Sequence, residues 1–171
     1  VADDLGLPIL PTSVPGLTLR PLTVDDVEAY HELIVRNREY LTRHGDYEEM
    51  KVATRESVAR DFEGPPDWNL RFGLRLEDQL VGRADINPVD PPRYSIGYWL
   101  DEGATGRGYM TAACAALIDF ARVRLGATDV FAGVTHGNDR SVAVLERLGF
   151  CAVADFERYT RFYLSLHADQ G

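Results

Sequence analysis

Gly103, Gly106 and Gly108 punctuate the junction between an apolar stretch, Tyr94–Leu100, and a long amphipathic run that follows it. Glycine lets a backbone approach a ligand closely, and the first N–H groups of a helix have no intrahelical partner and carry partial positive charge. Such a junction offers a cradle for phosphate. A P-loop requires Gly-x-x-x-x-Gly-Lys-Ser/Thr, whereas Tyr109 and Met110 follow Gly108 here, so no lysine reaches a phosphate. A dinucleotide fingerprint requires a third small residue and an acid about 20 positions further on. Thr111 and Asp129 stand at those places, but the strand before the loop is not the first of a βαβ series.

The elements that must position this loop can be read from hydrophobic period. Residues 1–16 hold Pro8, Pro11 and Pro15 without periodicity and read as an extended arm; residues 17–167 read as one domain. Leu17–Leu22 alternates as a strand, and Thr23, Asp25 and Asp26 open a helix with Val27, Tyr30, Leu33 and Ile34 on one face. Asn37–Phe62 reads as a second, charged helical region with Tyr40, Leu41, Tyr47, Met50, Val52 and Val58 as core candidates, ended by Gly64-Pro65-Pro66. Strands are expected at Asn69–Leu76, Leu80–Asn87 and Tyr94–Leu100. A helix then runs from Gly108 to about Leu125, burying Met110, Cys114, Leu117, Ile118, Ala121 and Leu125. Asp129–His136 is a strand, Asn138 an N-cap for a helix ending before Gly149, and Cys151–Arg158 and Arg161–Leu166 are the last strands. This order gives a mixed sheet in an α/β or α+β layered architecture.

Composition narrows the function classes. A chain of 171 residues with 45% hydrophobic content fits a single core. No apolar run approaches the ~20 residues of a membrane span, and the start VADDLGLPIL lacks the basic and apolar regions of a signal peptide, so the expected location is cytoplasmic, with no membrane partner. Cys114 and Cys151 read as small core residues, neither a disulfide nor a metal pair. Twenty-seven acids against 18 bases, a net charge of −9, argue against nucleic acid and favour a cationic acceptor such as an amine. An anionic ligand then needs local positive charge, for which Arg107, Arg140 and Arg147 are placed.

Three motifs in order, Gly97-Tyr98-Trp99-Leu100, Gly106-Arg107-Gly108-Tyr109, and Asn138-Asp139-Arg140-Ser141 followed by Val144-Leu145-Glu146-Arg147-Leu148-Gly149-Phe150, resemble the GNAT superfamily of N-acetyltransferases, specifically its RimJ/RimL-like branch. The resemblance covers Leu17 to about Leu166. It implies the GNAT fold: one mixed, mostly antiparallel sheet, helices on both faces, and a splayed parallel pair formed by Tyr94–Leu100 and Asp129–His136. It also implies acetyl-CoA as cofactor, its pantetheine arm entering the splay as a pseudo-strand. Main-chain N–H groups from about Gly106 to Thr111, among them Arg107, Gly108, Tyr109 and Met110, would hold the diphosphate. The main chains of Trp99 and Leu100 would bond the pantetheine amides, and an N–H near Tyr98 would polarise the thioester carbonyl. Thr105 and Met110 depart from the family's usual residues, but both positions chiefly offer backbone groups.

The resemblance implies transfer to a primary amine without an acyl-enzyme. The amine could be a protein N-terminal α-amine or a small molecule such as a polyamine or antibiotic. His44, Asp46, Glu48 and Glu49 lie in helices that wall the family's acceptor site. The family's frequent Glu, two positions before Gly97, is Ser95 here, so a general base must be sought at Asp85 or His136. Histidine titrates nearest working pH; an aspartate would need a raised pKa or a water relay. The tyrosine that many members use as acid corresponds to Leu145, leaving Ser141 to serve the leaving sulfur, or to cap the helix with Asn138. Asn138 is equally suited to bonding the pantetheine arm. The missing Glu and Tyr keep open a CoA-binding sensor without catalysis, and a nucleotide-binding regulator is a further rival. A homodimer is compatible with this reading.

Overall fold

A computed structural model describes residues 7–63 and 70–167. Eight strands form one sheet in the order β1-β2-β3-β4-β5-β6-β8-β7. They are β1 (Leu10–Pro11), β2 (Leu17–Pro21), β3 (Leu70–Leu76), β4 (Gln79–Asp90), β5 (Arg93–Leu100), β6 (Asp129–Thr135), β7 (Cys151–Asp155) and β8 (Tyr159–Ser165). All neighbours are antiparallel except β5 and β6. The mixed, mostly antiparallel sheet expected for a GNAT fold is therefore present. Within the expected arm, Leu10 pairs with Leu19 as a short edge strand. The expected stop at Gly64-Pro65-Pro66 and the strand start at Asn69 lie outside the described residues.

Helices cover both faces, as the alternation of the strands requires. α3 (Tyr109–Arg124) and α4 (Asp139–Arg147) pack through residues such as Leu117 and Leu145 on a core that includes Phe72, Leu74, Ile96 and Val130. α1 (Val27–Thr42) and α2 (Arg55–Glu63) cover a second cluster holding Tyr30, Leu33, Val58 and Trp99. Thr23 and Asp26 form a reciprocal capping box ahead of α1: the Thr23 hydroxyl accepts from the Asp25 N–H, and Asp26 Oδ2 accepts from the Thr23 N–H.

Two sequence expectations need correction here. α1 does not stop before Asn37 but runs to Thr42, because its buried positions continue through Asn37 and Leu41. The break comes at Gly45 and Tyr47, both with positive φ, followed by a short 3-10 turn at Glu48–Lys51 that leaves Val52 78% exposed. Cys114 is a core residue as expected, but Cys151 is exposed. It lies on β7, which ends the sheet and has no outer neighbour among the described residues.

The fork in the sheet is defined by register. β5 and β6 pair only at Arg93↔Asp129, Tyr94↔Val130 and Ser95↔Phe131. Both strands continue, to Leu100 and Thr135, without pairing to each other.

Candidate active site

The edge of β5 facing the fork follows from its pairing with β4. The Asp101 N–H donates to the Val81 carbonyl, in phase with Trp99↔Arg83 and Gly97↔Asp85. Antiparallel pairs alternate, so the main-chain groups of Trp99 and Gly97 face β4 while those of Tyr98 and Leu100 face the fork. Trp99 is thereby removed from the expected cofactor-bonding main chain. Its indole instead packs edge-on against Tyr30, 5.5 Å between ring centroids. The Tyr98 carbonyl is already engaged by the Tyr47 hydroxyl at 2.6 Å, which leaves the Tyr98 N–H as the fork-facing donor of that residue.

The Tyr98 side chain crosses to α4. Its hydroxyl lies 2.7 Å from Ser141 Oγ and 3.2 Å from the Ser141 carbonyl oxygen. Burial raises the Tyr98 phenol's pKa, with Cys114 adding to the effect and the Ser141 bond opposing it. The Tyr98 side chain thus links β5 to α4 at Ser141. Asn138 Oδ1 accepts from the Ser141 N–H at 3.4 Å, so its side chain caps α4. Leu145 is fully buried in the core.

The glycine junction has the form a phosphate cradle needs. Gly106 and Gly108 have φ of +78° and +80°, and an added Cβ at either would meet nothing within 4 Å. No side chain caps the N-terminus of α3 at Gly108, so the N–H groups of Gly108, Tyr109, Met110 and Thr111 are free of intrahelical partners. The Thr111 hydroxyl, one turn in, is buried without a hydrogen-bond partner. Thr105 is held by Arg140, whose Nη1 donates to Thr105 Oγ1 at 2.8 Å. Arg107 is exposed beside the loop. Arg147 is exposed in the last turn of α4, roughly 10 Å along the axis from Arg140 at 1.5 Å per residue, so Arg140 is the arginine that α4 brings to the loop.

Two residues that the sequence does not mark as part of the site hold these parts in place. Buried Asn37 donates through Nδ2 to the Leu33 carbonyl at 2.9 Å and to Asp101 Oδ1 at 2.8 Å. Its Oδ1 accepts from the Glu102 N–H at 3.0 Å, fixing the start of the loop to α1. Tyr47 is the other, in a left-handed backbone conformation with φ of 52°. The sequence marks Asn37 only as the start of a charged helical region and Tyr47 only as a core candidate.

A cleft of about 530 Å³ opens beside the fork. The loop after α1 contributes His44, Gly45 and Asp46; β6 and its end contribute Gly133, Thr135 and His136; the tip of the β7–β8 hairpin contributes Glu157, Arg158 and Tyr159. Asp46 accepts a hydrogen bond from the Thr135 hydroxyl. Of the expected acceptor residues, His44 and Asp46 line the cleft, whereas Glu48 is paired with Lys51 at 2.7 Å and Glu49 is exposed outside it. Asp85 does not line the cleft. It is buried across from Gly97, accepts from Asn87 Nδ2 at 2.7 Å and lies 3.2 Å from Arg83 Nε. Its carboxylate is thus partnered within the protein, unlike a base open to substrate.

The family model described as "Acetyltransferase (GNAT) domain" matches residues 16–151. The "Putative ribosomal N-acetyltransferase YdaF" of Bacillus subtilis (strain 168) is 31% identical over 147 residues, 78% of this chain and 77% of that protein. The chain belongs to the GNAT acetyltransferase family. A ribosomal-protein-serine acetyltransferase of Escherichia coli (strain K12) is 28% identical over 110 residues, 60% of this chain and 61% of its own length. Among solved structures, the ribosomal L7/L12 α-N-protein acetyltransferase RimL in complex with coenzyme A superposes with a TM-score of 0.85 at 22% identity, covering 95% of this chain and 100% of that one. RimJ of Mycobacterium smegmatis follows the same fold, with a TM-score of 0.81 at 22% identity over 92% of this chain and 87% of that one. This GNAT protein is an N-acetyltransferase that uses acetyl-CoA, and its residues fit that cofactor. The unpartnered Thr111 hydroxyl, the open space over Gly106 and Gly108, and the unpaired edge of β5 are the places such a molecule would fill.

Proposed function

We propose that this GNAT enzyme acetylates a primary amine that enters the cleft between the loop after α1 and the β7–β8 hairpin, by direct attack and in the cytoplasm. The observation that carries the reading is the Tyr98 main chain turned into the fork between β5 and β6, while the Tyr98 side chain reaches across to the Ser141 hydroxyl on α4. Acetyl-CoA supplies an acyl group on a thiol leaving group. The N–H groups of Gly108 to Thr111 bind its diphosphate, and the Leu100 main chain bonds the pantetheine arm. The Tyr98 N–H orients the acetyl carbonyl and counters charge growing on its oxygen. Ser141, held by the Tyr98 hydroxyl, holds a proton beside the place of the leaving sulfur.

Direct transfer is supported by the state of Cys114, which is sealed in the core with its thiol pKa raised by burial and then by Asp85, while the exposed Cys151 lies on the outermost strand β7. A protein N-terminal α-amine is the acceptor that asks least of the enzyme. Its pKa near ~7.7–8.0 leaves about a tenth neutral at pH 7, against well under one per cent for a lysine near ~10.4. Relatives named for ribosomal proteins support a protein acceptor and a cytoplasmic setting. A small cationic amine is the second acceptor class, favoured by Asp46 and Glu157 at the cleft.

The test is thiol release from acetyl-CoA with a panel of N-terminal peptides, lysine peptides blocked at the α-amine, and polyamines, with intact mass of the enzyme followed in parallel. Turnover on an amine without acetylation of the enzyme is expected. A rapid burst of enzyme acetylation would overturn direct transfer, and tight CoA binding without turnover on any amine would overturn the assignment of the cleft.

A further inference from the structure

We infer that His136 is the proton acceptor for the incoming ammonium and that Asp155 is the residue that positions it, an inference that rests on the cleft being the acceptor site. His136 Nε2 lies 2.7 Å from Asp155 Oδ1, and the same oxygen accepts from the Thr160 hydroxyl at 3.0 Å. An ionised carboxylate can only accept, so Nε2 must carry the hydrogen, and a neutral ring then presents its lone pair at Nδ1. That nitrogen has no partner among the described residues, and His136 lines the cleft while Asp155 does not. The imidazole is fixed at its backbone too, since the His136 N–H donates to the Arg158 carbonyl at 2.9 Å.

The hairpin is built to deliver this carboxylate. β7 and β8 pair in one register at Ala152↔Phe162 and in another at Ala154↔Arg161, so Val153 is an extra residue in β7. A one-residue slip turns every following side chain to the opposite face, and bulges are a recurrent device for re-aiming one. Asp155, two positions on, owes its side to that bulge. The bond to His136, then that to Thr160, hold its carboxyl below the usual carboxylate range.

The other charged groups around the imidazole are His44 and Asp46 from the loop after α1 and Glu157 and Arg158 from the hairpin tip. Asp46 is engaged by Thr135, and its charge suits it to attract the ammonium. The proton balance is simple. The ammonium gives one proton to Nδ1, which releases it to the solvent that the half-exposed ring touches. The nitrogen's lone pair forms the N–C bond as the C–S bond breaks, and the second N–H proton ends on the sulfur.

Nitrogen NMR of the imidazoles in the ligand-free protein should find His136 as the Nε2–H tautomer, and D155N should mix the two tautomers. With an N-terminal peptide, H136Q should bind CoA as the wild type does and lose about 10²-fold in kcat/KM. The acidic limb of its pH profile should vanish, while D46N should raise KM with the limb intact. D155E should recover more rate than D155N. Wild-type rate and an unchanged limb in H136Q would overturn the inference alone. Absence of wild-type turnover on every amine would overturn the acceptor-site reading beneath it, and the inference with it.

Discussion

The Tyr47 hydroxyl donates to the Tyr98 main-chain oxygen at 2.6 Å, tying the loop that borders the cleft to the strand edge that faces the fork. Phenylalanine at position 47 would keep the ring and leave that oxygen without the bond, at a cost of about 1 kcal/mol. If the bond holds the Tyr98 N–H in line, Y47F loses roughly fivefold in kcat with the KM for acetyl-CoA unchanged. Steady-state kinetics decide it, and a change confined to KM would assign Tyr47 to binding instead.

Thr111 separates stability from binding. Its hydroxyl is buried and unpartnered, a situation that costs about 1–3 kcal/mol. Valine has nearly the same shape, so T111V should raise Tm in the ligand-free protein by about 2–4 °C for each kcal/mol recovered. The same substitution should weaken CoA binding roughly fivefold by calorimetry if the hydroxyl serves the diphosphate as proposed. Equal affinity in T111V would remove it from the site.

Asn37 should behave oppositely. It makes three hydrogen bonds, one to Leu33 within α1 and two that join α1 to Asp101 and Glu102, the residues that begin the glycine junction. N37A should cost about 2–3 kcal/mol in urea unfolding and also weaken CoA, since the loop loses its anchor. Loss of stability with unchanged CoA affinity would limit Asn37 to the core.

Alkaline pH tests three buried acids together. The pKa values of Cys114, Tyr98 and Tyr47 are all raised, in each case chiefly by burial, with Asp85 next for Cys114 and Tyr47, and Cys114 next for Tyr98. A raised folded pKa leaves stability intact below the unfolded value and removes it as pH climbs toward the folded one. Unfolding free energy should therefore hold through neutrality and fall above about pH 8.5, where an unfolded thiol ionises, and more steeply above about 10 for the phenols. C114A should move the onset from the first value to the second in urea titrations across that range. An unchanged onset would mean the thiol does not contribute.

What the sequence disclosed about this protein follows the range of the interactions concerned. Gly106, Gly108 and the α3 helix are readable because their signals lie within one turn of chain, and the predicted helix ends within one residue of the observed Tyr109–Arg124. Asn138 as a cap is readable for the same reason. Tyr47 was not, since its partner is 51 positions away, and the Asn37 contact to Glu102 spans 65. Trp99 failed for a different reason. Which main-chain edge a strand residue presents depends on the phase of its pairing with β4, and no property of the residue itself carries that phase. Likewise Cys151 looks like core from its apolar neighbours, and only the outermost place of β7 exposes it.

Among the described residues, three residue pairs are the whole strand ladder between β1–β5 and the panel made of β6, β8 and β7. A protein sheet gains resistance to shear from an unbroken ladder, and this one has a short hinge where its midline should be. Coenzyme A lying along that seam would supply a missing rung, so that cargo and scaffold would strengthen each other.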